Sequence, residues 1–472
     1  MKKDDLYVLI NTLTATEKKL FKEKYATKSD TNFVRLFDAI AKGEIKNDTD
    51  AKKYFAGENL TINFSNTKSY LYSALLAILH EQLQPKYARL RILQQIEYAE
   101  TLLSRKLSQQ AEDLLLAALA EAQEAEEFEL EQLIIWNLAN IMATLQRGQQ
   151  YLQIAKKIDE KAQEDKQLKV LFFEAHHLYL QRGKKEANNI QAFSKHPLLN
   201  AKKKYSSKKA QASAETLKSL LYTVERNYPV ALKSNLRLVE LKQPISHAYV
   251  LSEIGYINAL YNAGLTATSA GESMDAIVRQ LETFEPISKW GSTNKFVCLL
   301  RLKLNNYITG KRNAEGKKLL KWIEAELPLH QNELNEAELI KLHISISGLC
   351  LKEKEYNKAL DYLLFFNQSK LARENRPVIY RVAMLYQLIA YYELKNFEWL
   401  TTTLRNYKYF QQTNDAFYLI EKHTLEFLNQ AIRLPDDKTR RAAKAEFEHE
   451  LKQAATKEHK SGMAYLENIG WV

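Results

Sequence analysis

The octapeptide Glu353-Lys354-Glu355-Tyr356-Asn357-Lys358-Ala359-Leu360 lies between two segments whose apolar residues recur at helical spacing. Two other turns are similar to it, Glu225-Arg226-Asn227-Tyr228-Pro229-Val230-Ala231-Leu232 and Leu394-Lys395-Asn396-Phe397-Glu398-Trp399-Leu400. Each combines polar residues, an aromatic residue and, three places later, a small or apolar residue. We expect the aromatic ring to wedge against the preceding helix, and the small residue to let two helices approach closely. The turns therefore predict repeated helical hairpins.

Composition and periodicity predict helices over most of the chain. Among 472 residues there are only 13 glycines and 8 prolines, which is too few turn residues for a sheet protein. A representative apolar stripe consists of Leu339, Leu342, Ile346 and Leu349. The stripes are broad, which is typical of helices that pack on two sides. We therefore predict an all-α fold in which about twenty helices stack as a right-handed α-solenoid of antiparallel hairpins, preceded by a small N-terminal helical region.

Local signals predict where helices begin and end. Thr14 with Glu17, and Asn335 with Glu338, have the spacing of a capping box. In that motif each side chain satisfies the backbone N–H of the other residue. Pro328 lies between periodic segments, where we expect a helix to stop because proline has no backbone N–H to donate.

One segment alternates in the manner of a strand. Leu60, Ile62 and Phe64 are separated by polar residues, but a single strand cannot form a sheet. We therefore expect an extended approach to a helix that is capped by Ser65.

The hairpin around the first turn resembles the tetratricopeptide repeat, a helix-turn-helix unit of about 34 residues. Tyr356 and Ala359 stand at the positions of the motif's turn aromatic and second-helix alanine. Ile346 and Ser347 then fall at its Leu-Gly positions, and Cys350 falls at its first-helix tyrosine position. The resemblance implies stacked hairpins with a concave surface that binds a partner segment.

The resemblance to the tetratricopeptide repeat is degenerate. It is best over residues 343–363 and weaker over residues 217–244, and the turns are not evenly spaced. The first-position tryptophan and the Leu-Gly pair are mostly absent. The whole chain also resembles a group of helical proteins from Bacteroidetes-type bacteria, on the segments Leu13-Thr14-Ala15-Thr16-Glu17-Lys18-Lys19-Leu20-Phe21-Lys22 and Ala390-Tyr391-Tyr392-Glu393-Leu394. That second resemblance implies no activity.

Breaks in the periodicity predict how the chain is organised. We predict an N-terminal helical region at residues 1–84, the first helical hairpins at 85–195, a lysine-rich loop at 196–212, degenerate repeats at 213–435, and a capping helix with a tail at 436–472. A polar last helix would keep the array from growing by association.

The chain is basic, with 68 Lys and Arg against 57 Asp and Glu, which gives a net charge of +11. This excess favours an acidic partner, either a protein segment or nucleic acid. Lysines concentrate at residues 196–212, called the lysine loop below, and at residues 301–321. The candidate anion or nucleic-acid patch consists of Lys202, Lys203, Lys204, Lys208, Lys209, Lys311, Arg312, Lys317 and Lys318. Solvated surface lysine is the alternative explanation for both stretches.

The sequence lacks the motifs that catalysis and cofactor binding require. His80 and Gln84 occupy the positions at which a zinc protease needs two histidines, so this metal motif is incomplete. Neither a phosphate-binding loop nor a nucleophile elbow occurs. Cys298 and Cys350 lie within apolar helical patterns and are expected to be buried, unreactive thiols. We therefore expect no enzymatic activity, no metal and no cofactor.

Targeting signals and membrane spans are also absent from the sequence pattern. Asp4 and Asp5 directly follow the two N-terminal lysines, and Asn11 interrupts the apolar stretch, so we expect no secretory signal. The longest apolar run, at residues 70–79, is about half as long as a membrane span. With two cysteines that need no disulfide, a reducing cytoplasmic location and no membrane insertion are expected.

The leading functional hypothesis is a protein–protein interaction scaffold that binds a partner segment on the concave face of the array. The hairpin alignment projects Tyr249, Tyr256 and Tyr392 to that face as candidate partner-binding residues. Core packing is the alternative role for each tyrosine. The alternative function is nucleic-acid binding or transcription regulation through the basic patches and the N-terminal helices. The partner is accordingly a protein or peptide, or else nucleic acid, and the oligomeric state stays open.

Overall fold

The computed structural model describes residues 5–25, 31–141, 145–181, 193–200, 203–309, 315–371, 377–413, 419–454, 466 and 469–471. Within these residues all regular secondary structure is helical, which confirms the predicted all-α class. The helices described up to residue 181 are α1 (Asp5–Thr12), α2 (Ala15–Tyr25), α3 (Asn32–Ala41), α4 (Asp48–Tyr54), α5 (Asn59–Ile62), α6 (Phe64–Leu83), α7 (Ala88–Ser104), α8 (Ser108–Glu124), α9 (Phe128–Ile141) and α10 (Leu145–Gln181). Those described after it are α11 (Lys208–Val224), α12 (Tyr228–Lys242), α13 (Val250–Ala270), α14 (Asp275–Thr283), α15 (Lys289–Thr309), α16 (Gly316–His330), α17 (Glu336–Lys352), α18 (Tyr356–Gln368), α19 (Pro377–Glu393), α20 (Phe397–Thr413), α21 (Leu419–Arg433) and α22 (Asp437–Ala454). Short 3-10 turns cover Phe193–Lys195, Pro197–Leu199, Gln243–Ile245 and Gln331–Glu333.

The chain divides into two compact units. The first comprises Met1–Glu174, Pro197–Ala214 and Gln243–Glu253, and the second comprises Ala175–His196, Glu215–Lys242 and Ile254–Val472. In the first unit, α1, α2, α3 and α5 pack against α6, and the buried rings of Phe21 and Phe37 lie 4.2 Å apart between them. Further along the first unit, α8 packs against both α7 and α9, and α7 also contacts α9.

The second unit contains a run of helices that pack in chain order. Each helix from α14 to α22 packs against the next one. In addition, α15 contacts α17, and α17 contacts α19. Their apolar faces form one buried cluster that includes Leu300, Ile346, Leu388 and Leu428.

Several turns between consecutive helices share one backbone conformation. Among the described residues other than glycine, those with a positive φ are Lys106, Glu126, Arg226, Lys354 and Lys395. In each turn the following residue donates its backbone N–H to the carbonyl five residues earlier, as Glu355 does to Cys350 over 2.8 Å. This is the Schellman geometry, which satisfies the last carbonyls of a helix. The next helix begins two residues after the positive-φ residue in every case, so the turns form tight helix–helix connections.

The three turns singled out in the sequence belong to this set. Tyr228, Tyr356 and Phe397 are the first residues of α12, α18 and α20. Three places later, Ala231 and Ala359 are completely buried. An alanine at such a position leaves room for the backbone of a neighbouring helix.

Both predicted capping boxes are confirmed. Thr14 donates its backbone N–H to Glu17 Oε2 over 2.7 Å, and Glu17 donates its own to Thr14 Oγ1 over 3.2 Å. At the start of α17, Glu338 donates its backbone N–H to Asn335 Oδ1 over 2.9 Å, and Asn335 donates to Glu338 Oε2 over 3.4 Å. The local sequence therefore fixes both helix starts.

Two boundary predictions are wrong. Residues 59–62 form α5 and α6 begins at Phe64, so this segment is helical and Ser65 lies inside the helix. Leu60 and Phe64, four positions apart, are buried, whereas Ile62 is 78% exposed, so the apparent alternation is one helical face plus an exposed isoleucine. Pro328 lies in the last turn of α16, so the helix does not stop before this proline as predicted. The proline removes one backbone hydrogen bond near the end of the helix.

Candidate protein-docking groove

An apolar groove lies between α9 and α10 in the first unit. It encloses about 510 Å³ and is lined by Gln132, Ile135, Trp136, Ala139, Tyr151, Leu152, Ala155 and Asp159; it is called the Trp136 groove below. The lining residues recur every three or four positions, so one face of each helix supplies them. A volume of this size is in the range of pockets that hold a ligand or a few partner side chains.

Trp136 and Leu152 form an exposed apolar wall of the groove. Trp136 is 69% exposed, and Leu152 is 56% exposed. In contrast, Ile135 and Tyr151 are buried in the apolar cluster formed around α7, α8 and α9. The Trp136 groove therefore combines a packed floor with a tryptophan and a leucine that remain in water.

The polar side chains of the Trp136 groove are few. Gln132 donates its side-chain N–H to Asp159 Oδ1 over 2.5 Å. Among the described residues that line the groove, Asp159 is the one carboxyl group, and none is a histidine or a cysteine. These groups can orient a bound apolar segment, but they offer no nucleophile with an adjacent base.

A buried group of acids lies at the start of α9. Glu127 is buried and pairs with Arg89 and, over 2.9 Å, with Lys209. Burial raises the pKa of Glu131 to about 7, and the nearby Lys161 opposes this shift. The acids of this group therefore neutralise basic side chains that come from other parts of the first unit.

Two lysines of the lysine loop pair with acids of the first unit. Lys203 pairs with Glu164 over 2.9 Å, and Lys209 pairs with Glu127. The backbone N–H groups of Lys208 and Lys209 donate to the carboxylate of Glu126 over 2.8 and 2.6 Å, which caps α11. Acids of the first unit thus hold this part of the loop.

The remaining patch residues are distributed over two regions. Lys204 and Lys208 are exposed within the lysine loop, and Lys317 and Lys318 are exposed at the start of α16. The other patch residues, Lys202, Lys311 and Arg312, lie outside the described residues.

Lys318 lines a second cavity, of about 490 Å³, in the second unit. Its lining residues are Asp275, Val278, Arg279, Lys303, Asn306, Tyr307, Glu315, Lys318, Leu319 and Trp322. Lys303 pairs with Glu282 over 2.7 Å, and its ammonium lies 4.5 Å from the centre of the Trp322 ring. Among the described lining residues, two acids, Asp275 and Glu315, lie beside three bases, Arg279, Lys303 and Lys318, so the acids offset most of the positive charge of these side chains.

Two of the three candidate tyrosines lie in the core. Tyr256 is 2% exposed, accepts a hydrogen bond from Gln280 over 2.9 Å and packs against Phe284. Tyr392 is 9% exposed and packs against Phe427 and Trp471. In this conformation both rings contribute to packing and have almost no surface left for a partner.

Tyr249 has a different environment. It is half-buried, and the guanidinium of Arg89 lies 5.8 Å from the centre of its ring. At this distance a cation is attracted electrostatically to the face of an aromatic ring. Tyr249 is therefore the candidate tyrosine that retains a partly exposed side chain.

The two cysteines are buried thiols. Both Cys298 and Cys350 are almost inaccessible, and burial raises the pKa of each thiol to about 12. A thiol with such a pKa stays protonated at neutral pH and is a poor nucleophile. Within the described part of the chain, no group of three or more histidine, cysteine or acidic side chains is arranged to hold a metal ion.

Comparison with known proteins adds no assignment to this geometry. No protein-family model, no curated protein and no solved structure matches the chain. Among the helices in the described ranges, none has the length and apolar character needed to cross a membrane.

Proposed function

We propose that the protein is a non-catalytic scaffold that binds another protein through its helical hairpins. The observation that carries this proposal is the 69% exposure of Trp136 in an apolar groove. Removing apolar surface from water contributes about 25 cal/mol per Å², so a partner that covers an indole and a leucine gains free energy. Exposed tryptophans with this surrounding are typical of residues that dominate a protein–protein interface.

The contacts between alternate helices support a stacked architecture. Besides the contacts between chain neighbours, α15 meets α17 and α17 meets α19. Hairpins that stack side by side bring the first helix of one unit against the first helix of the next. We therefore include the right-handed α-solenoid of tetratricopeptide-like hairpins in the proposal.

An amphipathic helix is the kind of partner that suits the Trp136 groove. The groove follows two helices, and its apolar residues are spaced by one helical turn along each. A partner helix with apolar residues at positions i, i+3 or i+4, and i+7 would place them between Trp136 and Leu152. Gln132 and Asp159 at one side of the groove would contact the polar flank of that helix.

Photo-cross-linking and retention of partners from a lysate of the source organism test this function. Full-length protein carrying a photoreactive residue in place of Leu152 is expected to cross-link a protein, and the Trp136→Ala variant is expected to retain about tenfold less of it. The matched control is Trp290→Ala, since Trp290 is 57% exposed but lies outside the groove. Equal retention by the wild type and both variants would contradict the proposal.

A nuclease-treated arm separates this function from nucleic-acid binding. A partner that binds the Trp136 groove directly is retained after nuclease treatment. Loss of all retained protein in that arm, with no effect of Trp136→Ala, would favour the nucleic-acid alternative instead. Both variants change exposed side chains, so neither is expected to alter the free energy of unfolding by more than about 0.5 kcal/mol.

A further inference from the structure

The segment around Leu466, Ile469 and Trp471 packs onto the second unit. All three side chains are buried in the apolar cluster of α15 to α22. The sequence connects this segment to the end of α22 through residues 455–465. Its contacts fall on α17, α19, α21 and α22.

Trp471 makes the most specific contacts of this segment. Its ring centre lies 6.3 Å from that of Tyr392, 6.0 Å from that of Phe427 and 5.6 Å from that of Phe447. Its indole Nε1–H donates to Glu393 Oε1 over 2.8 Å. An aromatic pocket with one acceptor for the indole N–H recognises tryptophan rather than phenylalanine or leucine.

Lys444 holds the acceptor in place. Its ammonium lies 3.0 Å from Glu393 Oε1 and 5.1 Å from the centre of the Trp471 ring. Departure of the indole would therefore leave Glu393 paired with Lys444, and no buried charge would lose its only partner. This arrangement keeps the pocket charge-balanced with or without the tryptophan.

A backbone hydrogen bond joins the two ends of the segment. Trp471 donates its backbone N–H to the carbonyl of Leu466 over 3.1 Å, and Gly470 has a φ of 65°. This closed turn directs Ile469 toward Gly348, where a side chain as small as alanine would already touch the Ile469 methyl group at 3.6 Å. A preformed turn loses little further freedom when it binds.

We propose that Tyr392, Glu393, Phe427, Phe447 and Gly348, called the Trp471 site, bind a short turn with an aliphatic residue two places before a tryptophan. Leu466, Ile469 and Trp471 of this chain occupy the site as an internal ligand, and a partner segment of the same chemistry competes with them. The chain's own Trp471 is one of the rings that pack against the candidate residue Tyr392. This inference does not depend on the Trp136 groove, and its test changes no residue of that groove.

Binding of a fluorescent synthetic peptide with the sequence of residues 464–472 tests the proposal on the full chain. The Trp471→Ala variant, whose internal ligand is weakened, is expected to bind the peptide at least tenfold more tightly than the wild type does. Adding Glu393→Gln to that variant is expected to weaken binding about fivefold or more, because a neutral amide is a poorer acceptor for the indole N–H. Trp399→Ala, which removes an exposed tryptophan of the same unit, is the control and should bind like the wild type.

If Trp471→Ala fails to fold, a nicked form of the chain provides a second test of the proposal. A protease site inserted between Ala454 and Leu466 allows the segment to be cut off while Leu466, Ile469, Trp471 and the residues of the Trp471 site stay unchanged. The nicked protein is expected to keep its helical circular dichroism and to exchange the cut segment for the labelled peptide. Loss of helicity on cutting would show that the segment is a fixed part of the core and would overturn the proposal. The proposal would also be overturned if the cut segment does not exchange and the wild type and Trp471→Ala bind the peptide with equal affinity.

Discussion

Glu131 is a buried carboxyl group whose protonation is set by its surroundings. Burial raises its pKa from the usual 4.5 to about 7, and the ammonium groups of Lys161 and Lys209 limit the shift. Glu126 and Glu127 act in the opposite direction, because a second negative charge nearby disfavours ionisation of Glu131. The acid group at the start of α9 therefore contains a carboxyl that titrates near neutral pH.

Replacing Glu131 by glutamine should flatten the pH dependence of stability. Between about pH 4.5 and pH 7 the folded protein keeps a proton that the unfolded chain loses, so the free energy of unfolding falls as the pH rises through this window. Glutamine cannot ionise, so Glu131→Gln does not lose stability as the pH rises through this window. The variant should therefore be more stable than the wild type by about 1–2 kcal/mol at pH 8, and the difference should become smaller toward pH 4.5. Urea unfolding at several pH values measures it. The control is Glu129→Gln, an exposed acid of the same helix; parallel pH profiles for Glu131→Gln and the wild type would refute the assignment.

At the scale of the helix–helix connection, a positive-φ residue closes each Schellman turn. The described turns at Lys106, Glu126, Arg226, Lys354 and Lys395 use long, charged side chains where glycine is the usual residue. A side chain with a Cβ atom is strained in this left-handed conformation by about 1 kcal/mol. The hydrogen bonds of the turn must therefore compensate a backbone cost at each connection.

Lys354→Gly should stabilise the second unit by about 0.5–1 kcal/mol. Glycine removes the strain at φ 61°, and this gain exceeds the extra freedom that glycine has in the unfolded chain. The lysine side chain is exposed, so little contact area is lost. Thermal and urea unfolding measure the change, with Lys354→Ala as the control that keeps a Cβ atom. A gain with alanine equal to the gain with glycine would show that backbone strain is not the cause.

The sequence identifies some of these connections and not others, for a physical reason. The aromatic residue and the small residue three places later mark the turns at Tyr228, Tyr356 and Phe397. The turn before α8 has Ser108 at the aromatic position, and the turn before α9 has Phe128 followed by Glu131 instead of a small residue. Because backbone hydrogen bonds close the turn, side-chain patterns reflect only the packing around it. The helix class and both capping boxes were predictable, since they depend on local sequence alone.

At the scale of the whole molecule, the surfaces depend on contacts that no local pattern encodes. Lys203 and Lys209 meet Glu164 and Glu127, which lie tens of residues earlier in the chain. The exposure of Trp136 is also not predictable from the local pattern, because a tryptophan in an apolar helical stripe is expected to be buried in the core. Its exposure arises because the face of α9 that carries it borders an open groove. A patch of charge or an exposed ring is therefore defined only once distant segments are placed together.

The internal pairing of the lysine loop predicts a weak salt dependence for any nucleic-acid binding. If all five lysines at positions 202–209 met phosphates, the slope of log affinity against log salt would be roughly −4 to −5. Glu164 and Glu127 engage two of those lysines, which limits the largest slope of the loop to about −2 to −3. Fluorescence anisotropy with a labelled duplex between about 50 and 200 mM salt measures the slope. Replacing Lys204 and Lys208 by glutamate should remove most of the salt dependence. A slope of roughly −4 to −5 in the wild type would instead mean that nucleic acid displaces Glu164 and Glu127 from their lysines. The lysine loop would then be a nucleic-acid-binding surface.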